Sequence, residues 1–208
     1  MSQLPSASAA AAIVGIVGSN WVAGGIAGLS HFTMPGLLSA NVPGHLLAQQ
    51  WASIFRMGKA AMPAIAVISL GAYAYRAYDR SRRHLDWTRW AAAGVLTLSI
   101  VPFTLVAMNP TNQSLLQIAG GGATAAVVND ESVRALITKW AGLNLIRSLL
   151  PLGGAVLGLW TLVTEKDGPA GVESTESKES KDVTKSHPAA SSTTAWEDDV
   201  SKTHPASY

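Results

Sequence analysis

The chain has 208 residues, of which 48% are apolar and only 13% charged, with no cysteine and a formal net charge of +2. A soluble domain carries about a quarter charged residues, and without cysteine neither a disulfide nor a thiolate metal site is available. Residues 1–163 hold ten Lys/Arg against four Asp/Glu, and residues 164–208 hold five Lys against nine Asp/Glu, so a +6 core precedes a −4 tail. The basic residues sit beside apolar runs rather than along a stripe, so the pI near 9.0 does not imply a nucleic-acid partner.

Four runs reach the roughly 20 apolar residues that cross a bilayer, at about 9–29, 60–78, 90–108 and 143–163. The first has no basic segment ahead of it of the kind a signal peptide needs, so it reads as a retained span ending at "LSHFTMP". The second follows "HLLAQQWASIFRMGKAAMP", which keeps helical spacing without a breaker from His45 to Met62. One long helix is expected to run from the surface into the membrane there. "RAYDRSRRHLDWTR", Arg76 to Arg89, then packs five arginines between the second and third runs. By the positive-inside rule this loop is cytoplasmic, and so are both termini. Tyr75, Tyr78, Trp87, Trp90 and Trp160 fall at the same level, as an interfacial aromatic belt.

The third run contains Pro102 and stops in Asn109-Pro110-Thr111-Asn112, which reads as a helix end. "QIAGGGATAAVV" reads as a flexible connection. Asn129, Asp130 and Glu131 supply the cap and first-turn acids of the next helix, and Pro151 is expected to kink the fourth run. Gly24 with Gly28, and Gly154 with Gly158, have the spacing for close helix contact. The expected fold is all-α: a four-helix transmembrane bundle over residues 1–163 and a disordered cytoplasmic tail over 164–208, rich in Ser, Thr, Lys, Glu and Pro. The expected location is the endoplasmic reticulum or another internal membrane.

Antiparallel spans bring four non-cytoplasmic ends together. Ser30 and His31 close the first. His45, Trp51, Arg56 and Lys59 open the second, Asn109, Thr111 and Asn112 close the third, and Trp140, Asn144 and Arg147 open the fourth. Arg147 stands about one turn inside its span, where a charge costs several kcal/mol unless it snorkels to headgroups or finds partners. Trp140, Asn144, Arg147 and Pro151 follow the i, i+4, i+7, i+11 stripe, a polar face expected to turn into the bundle. Asn109 and Asn112 either shape a turn around Pro110 or border the same site. His31 and His45 are the candidate proton acceptors, because imidazole is the side chain suited to proton transfer at physiological pH, the alternative being ordinary surface histidines. No metal-ligand spacing, dinucleotide fingerprint, P-loop or nucleophile elbow occurs, so no metal, nucleotide or flavin site is expected. Asn112-Gln113-Ser114 is a glycosylation sequon, but its closeness to the span argues against its use.

Four stretches carry a resemblance: "SHFTMPGLL", "QQWASIFRMGKAAMP", "RWAAAGVLTLSIVPFTLVAMNPTNQSLL" and "KWAGLNLIRSLLPLGGAVLGLW". In this order, over most of residues 25–160, they resemble the anthrone oxygenase family, small membrane proteins of fungal aromatic polyketide pathways. Pro102-Phe103-Thr104, Met108, Thr111-Asn112 and Arg147-Ser148 are the most specific part. The resemblance implies a monooxygenase of secondary metabolism that converts an anthrone to an anthraquinone with O2 as co-substrate and no cofactor. Its partners would be a small aromatic polyketide, membrane lipid and other enzymes of the pathway. Under this resemblance Arg147, Asn144 and Asn109 would donate to an enolate oxygen, and His31 or His45 would take the proton. Trp51, Arg56, Lys59, Asn109, Thr111, Asn112 and Trp140 would line the substrate slot. The chain also departs from the family's pattern, which often has Tyr at the position of Phe55 and His at those of Lys59 and Asn144. The usual proton acceptors are then missing. The competing reading is a non-catalytic scaffold or carrier that shelters hydrophobic intermediates.

Overall fold

The computed structural model describes residues 6–121 and 129–165. Every regular element among them is helical. Four helical runs are long and apolar enough to cross a membrane: α1, Ala7–Ser39; α2, Gly44–Arg82; α3, Thr88–Ala119; and α4, Asp130–Thr164. Each contains one of the four expected spans. α2 starts early, as the unbroken spacing from His45 indicates. α4 starts where the Asn129 side chain accepts from the Ser132 N–H, with Asp130 and Glu131 in the first turn, the charges favoured at a helix N-terminus. The connection at 122–128 and residues 166–208 of the expected tail lie outside the described residues, whereas Thr164, also assigned to the tail, closes α4, and Glu165 is its C-cap.

α1 packs on α2 and α4, and α3 packs on the same two, so the antiparallel helices form a ring. The outer faces expose Val17, Trp21, Val67, Ile68, Val95, Val106 and Val156, as expected of a bundle whose solvent is lipid. Three apolar clusters stack inside. Ala12, Tyr73, Trp90 and Ala93 meet at the arginine-loop end. Val22, Ile26, Ala66 and Ile100 fill the middle, and Met34, Leu47, Trp51, Met108, Leu115, Ile137 and Trp140 fill the far end.

Tyr73 explains where the glycines must be. A side-chain carbon at Gly15 would lie 2.7 Å from its ring, and one at Gly158 would lie 2.8 Å from its hydroxyl. That hydroxyl donates to the Gly154 carbonyl at 3.2 Å. A carbon at Gly154 would itself sit 2.7 Å from the Ala93 carbonyl oxygen. Gly154 and Gly158 therefore do permit close helix contact, whereas nothing lies within 4 Å of a carbon at Gly24 or Gly28. In α1 the close approaches fall instead at Gly15, against Tyr73, and at Gly18, against the Ser69 hydroxyl.

Two features differ from the sequence reading. Asn109-Pro110-Thr111-Asn112 is not a helix end: α3 runs through it to Ala119, after a π-turn at Thr104–Met108. Proline lacks an N–H and its ring crowds the carbonyl four residues back. The wider π-turn upstream of Pro110 accommodates both. A second π-turn, Leu29–Thr33, precedes Pro35 and carries α1 on to Ser39. The other difference lies at the arginine-loop end, which is more than a charged loop. Arg76 and Arg80 are buried and both pair with Glu165, just past α4, which also accepts from Trp90 Nε1 at 3.0 Å. Trp90 is thus a core residue, while Tyr75, Tyr78, Trp87 and Trp160 remain exposed as a belt.

Gly154→Val should force α3 from α4 and cost about 2 kcal/mol or more. Gly24→Ala, inside α1 with open space around it, should raise stability by about 0.5–1 kcal/mol. Thermal unfolding in detergent, followed by circular dichroism, checks both.

Candidate active site

α2 packs closely on α3 at Thr88–Leu98 and again at Asn109–Ala119, with sparse contact between them. In the parted stretch α2 stays helical through Pro63, whereas in α3 Pro102 precedes the π-turn. The gap is a cavity of about 370 Å³, within the roughly 300–1,000 Å³ of small-molecule sites. α2 lines it with Ile54, Phe55, Lys59, Met62 and Pro63, and α3 with Ile100, Val101, Thr104, Asn109, Asn112, Gln113 and Leu116. Trp140 and Arg147 come from α4, and Leu29 from α1.

Arg147 is fastened at two points. Its Nη1 donates to Thr104 Oγ1 at 2.8 Å and its Nη2 to Asn144 Oδ1 at 2.6 Å. Asn144 is fully buried, and its Nδ2 donates to the Ile26 carbonyl at 2.9 Å and to the Ser30 hydroxyl at 3.0 Å. Ser30 and Thr104 both belong to π-turns. The Thr104 hydroxyl donates to the Ile100 carbonyl at 2.6 Å, which leaves its lone pairs for the guanidinium. No carboxylate pairs with Arg147 among the described residues. The site therefore presents a cation held only by neutral oxygens.

Asn112 is buried and accepts from Trp140 Nε1 at 2.9 Å. An indole N–H can only donate, so it takes the amide oxygen and leaves Asn112 Nδ2 as a free donor in the cavity wall. Trp51 supports the wall from behind. It stacks on Phe55 with ring centroids 5.0 Å apart and meets Trp140 edge-on at 5.6 Å, geometries that favour aromatic pairs. Among the described residues no three His, Asp or Glu side chains come together. A second recess, of similar volume, lies toward the arginine loop against Leu70, Tyr78, Trp87 and Gly94, with no charged residue in its lining.

The family model for anthrone oxygenase matches residues 51–157, the stretch that holds nearly all of the cavity wall. An anthrone oxygenase of Aspergillus terreus is 38% identical over 150 residues, 72% of this chain and 97% of the relative. The chain belongs to the anthrone oxygenase family. An anthrone oxygenase of Claviceps purpurea is 34% identical over 161 residues, 76% of this chain and 92% of that one. A noranthrone monooxygenase of Aspergillus flavus is 35% identical over 150 residues, 70% of each. No solved structure matches the chain.

In this member of the anthrone oxygenase family, five residues singled out in the sequence line the cavity: Lys59, Asn109, Asn112, Trp140 and Arg147. Trp51 and Asn144 are buried behind them. Both ends of the Asn144 amide are engaged by protein groups, so it positions Arg147 rather than meeting a ligand. Thr111 is buried in α3 without lining the cavity, and His31, His45 and Arg56 are exposed outside it. Ser30 takes the inward place on its π-turn and His31, next to it, faces out. His45 and Arg56 lie on the outer face of α2, away from buried Leu47, Trp51 and Ala52. Thr104, Phe55 and Gln113 were not identified from the sequence as site residues. Thr104 stands eight residues before Asn112, off register for two ordinary turns; the π-turn brings the two into one wall. The signal was the pair of prolines at 102 and 110, which mark a distorted helix between them.

Asn144→Leu strands an Arg147 N–H and the Ser30 hydroxyl, and should destabilise the bundle by about 2–3 kcal/mol. Asn109→Ala, at an exposed rim position, should stay within about 0.5 kcal/mol. Denaturant titration in mixed micelles compares them.

Proposed function

We propose that this protein oxidises a polyketide anthrone to an anthraquinone with O2, in the cavity between α2 and α3, without a metal or organic cofactor. The observation that carries the proposal is Arg147, a guanidinium fixed by Thr104 and Asn144 and facing a largely apolar slot. An anthrone has an acidic CH2 opposite its carbonyl. Loss of one proton gives an enolate with its charge on the carbonyl oxygen. A pre-fixed cation is more complementary to that oxygen than to the neutral ketone, which is the condition for lowering the barrier. Asn112 Nδ2 is a second donor.

The enolate carbon adds O2 to form a peroxide anion, which is then protonated. The remaining hydrogen on that carbon and the outer peroxide oxygen leave as water, and the inner oxygen becomes the new carbonyl. CH2 plus O2 thus gives C=O plus H2O, and no further oxidant is required. Ile54, Phe55, Ile100 and Val101 supply the flat apolar slot. Among the described residues no imidazole or carboxylate lines the cavity. Stabilisation of the enolate therefore carries the proton-removal step, and the proton leaves to water at the rim beside Lys59, Asn109 and Gln113. The slot lies away from the arginine loop, hence in the non-cytoplasmic half of an internal membrane, with both termini cytoplasmic. The tail takes no part in the chemistry. A carrier of hydrophobic intermediates would use the same slot but has no need of a cation fixed at two points.

Oxygen uptake and quinone formation from emodin anthrone, with chelator, without flavin and against empty micelles, test the proposal. The protein should accelerate both. Arg147→Gln should insert normally and lose about 10²–10³ in kcat, while the double variant His31→Ala, His45→Ala should keep its turnover. Unchanged turnover in Arg147→Gln would mean that this cavity is not the active site.

A further inference from the structure

We infer that the substrate of this site is an anionic anthrone, one with a ring carboxylate that meets Lys59 while the enolising carbonyl meets Arg147. This rests on the function proposed above and adds the charge of the substrate to it. Two cations from different helices line the cavity, and among the described residues no acid lines it. At the arginine-loop end the chain matches four arginines with carboxylates. Arg76 and Arg80 share Glu165, Arg83 pairs with Asp79, and Arg89 lies 3.7 Å from Asp86. At the cavity it does not. Arg147 meets only the neutral oxygens of Thr104 and Asn144, and Lys59 has no acidic partner among the described residues.

An uncompensated charge is costly in proportion to its burial, which weighs on half-buried Arg147 more than on exposed Lys59, and a ligand that brings opposite charge offsets it. A neutral anthrone provides one negative charge, and only transiently, as its enolate. That charge matches Arg147 and leaves Lys59 unmatched. A carboxylate supplies the second charge permanently, and the enolate complex then balances at two of each sign. A phosphate dianion would overshoot. Position agrees with charge: Lys59 is an exposed rim residue one turn before Pro63, whereas Arg147 reaches the slot from α4. A flat tricycle entering between α2 and α3 would keep its ionised edge at the rim and turn its carbonyl inward. The free donor of Asn112 favours acceptor-rich ligands in the same way.

The test compares anthraquinone-2-carboxylate with its neutral isostere anthraquinone-2-carboxamide. Affinities are read from quenching of tryptophan fluorescence, since Trp140 lines the cavity and Trp51 backs it. Phosphatidylcholine nanodiscs exclude competition from acidic lipid, and empty nanodiscs correct for partition. The carboxylate should bind the wild-type protein about tenfold more tightly. Lys59→Gln should remove that preference while leaving the carboxamide affinity intact, which also reports correct folding, and Lys59→Arg should retain it. Equal binding of both quinones to the wild type, or a preference that survives Lys59→Gln, would overturn the inference and leave the cavity as the active site. Binding of neither quinone would overturn both.

Discussion

A guanidinium inside a membrane-spanning helix, with no carboxylate beside it among the described residues, is the constraint around which the bundle is arranged. Placing such a charge there costs at least about 2.5–3.5 kcal/mol, so oxygen acceptors have to be brought to it. Two neighbouring helices do this by leaving regular geometry. α1 opens a π-turn that puts Ser30 behind Asn144, and α3 opens another that puts Thr104 against Arg147. Regular pitch through either segment would turn those hydroxyls to other faces. The distortion that holds the cation is also what parts α3 from α2, so one set of prolines and π-turns makes both the charge and the space in front of it.

The two ends of the molecule show what the absence of a counter-charge means. Toward the arginine loop, buried Arg76 and Arg80 converge on Glu165, and Trp90 completes that carboxylate's hydrogen bonding. The result is a closed, structural junction of α2, α3 and the end of α4. At the other end Asp130 and Arg134 also serve structure. Asp130 accepts from the Gly44 N–H at 2.6 Å, and Arg134 donates to the carbonyls of Leu38, Ala40 and Val42. These tie α4 to the link between α1 and α2. Between these junctions Arg147 and Lys59 line the cavity, with no protein acid pairing with either among the described residues. Rigid closure at both ends leaves the middle of the α2–α3 seam as the place where a ligand can enter from the bilayer.

Much of this was legible in the sequence because it depends on local pattern. Apolar length gives the four spans, unbroken spacing gives the early start of α2, and Asn129 with two acids gives the start of α4. The inward polar stripe of α4 is also local, since Trp140, Asn144, Arg147 and Pro151 share a face by helical period alone. What was not legible depends on phase shifts and on distant partners. Proline at 110 suggests a helix end, yet a π-turn lets α3 continue, and that turn decides that Asn112 and Thr104 share a wall. The same kind of turn in α1 turns Ser30 in and leaves His31 out, which removes the imidazole from the site. Glu165 looked like the first residue of a polar tail, because its arginine partners lie more than eighty residues earlier in the chain.

The most direct test of the account is a structure of the protein with an anthraquinone bound, determined by cryo-electron microscopy in nanodiscs with a rigid fiducial. The account predicts the tricycle between α2 and α3, with one quinone oxygen in hydrogen-bond contact with Arg147 and the ring plane against Phe55 and Ile100. A quinone seated instead in the recess beside Tyr78 and Trp87, with Arg147 untouched, would contradict it.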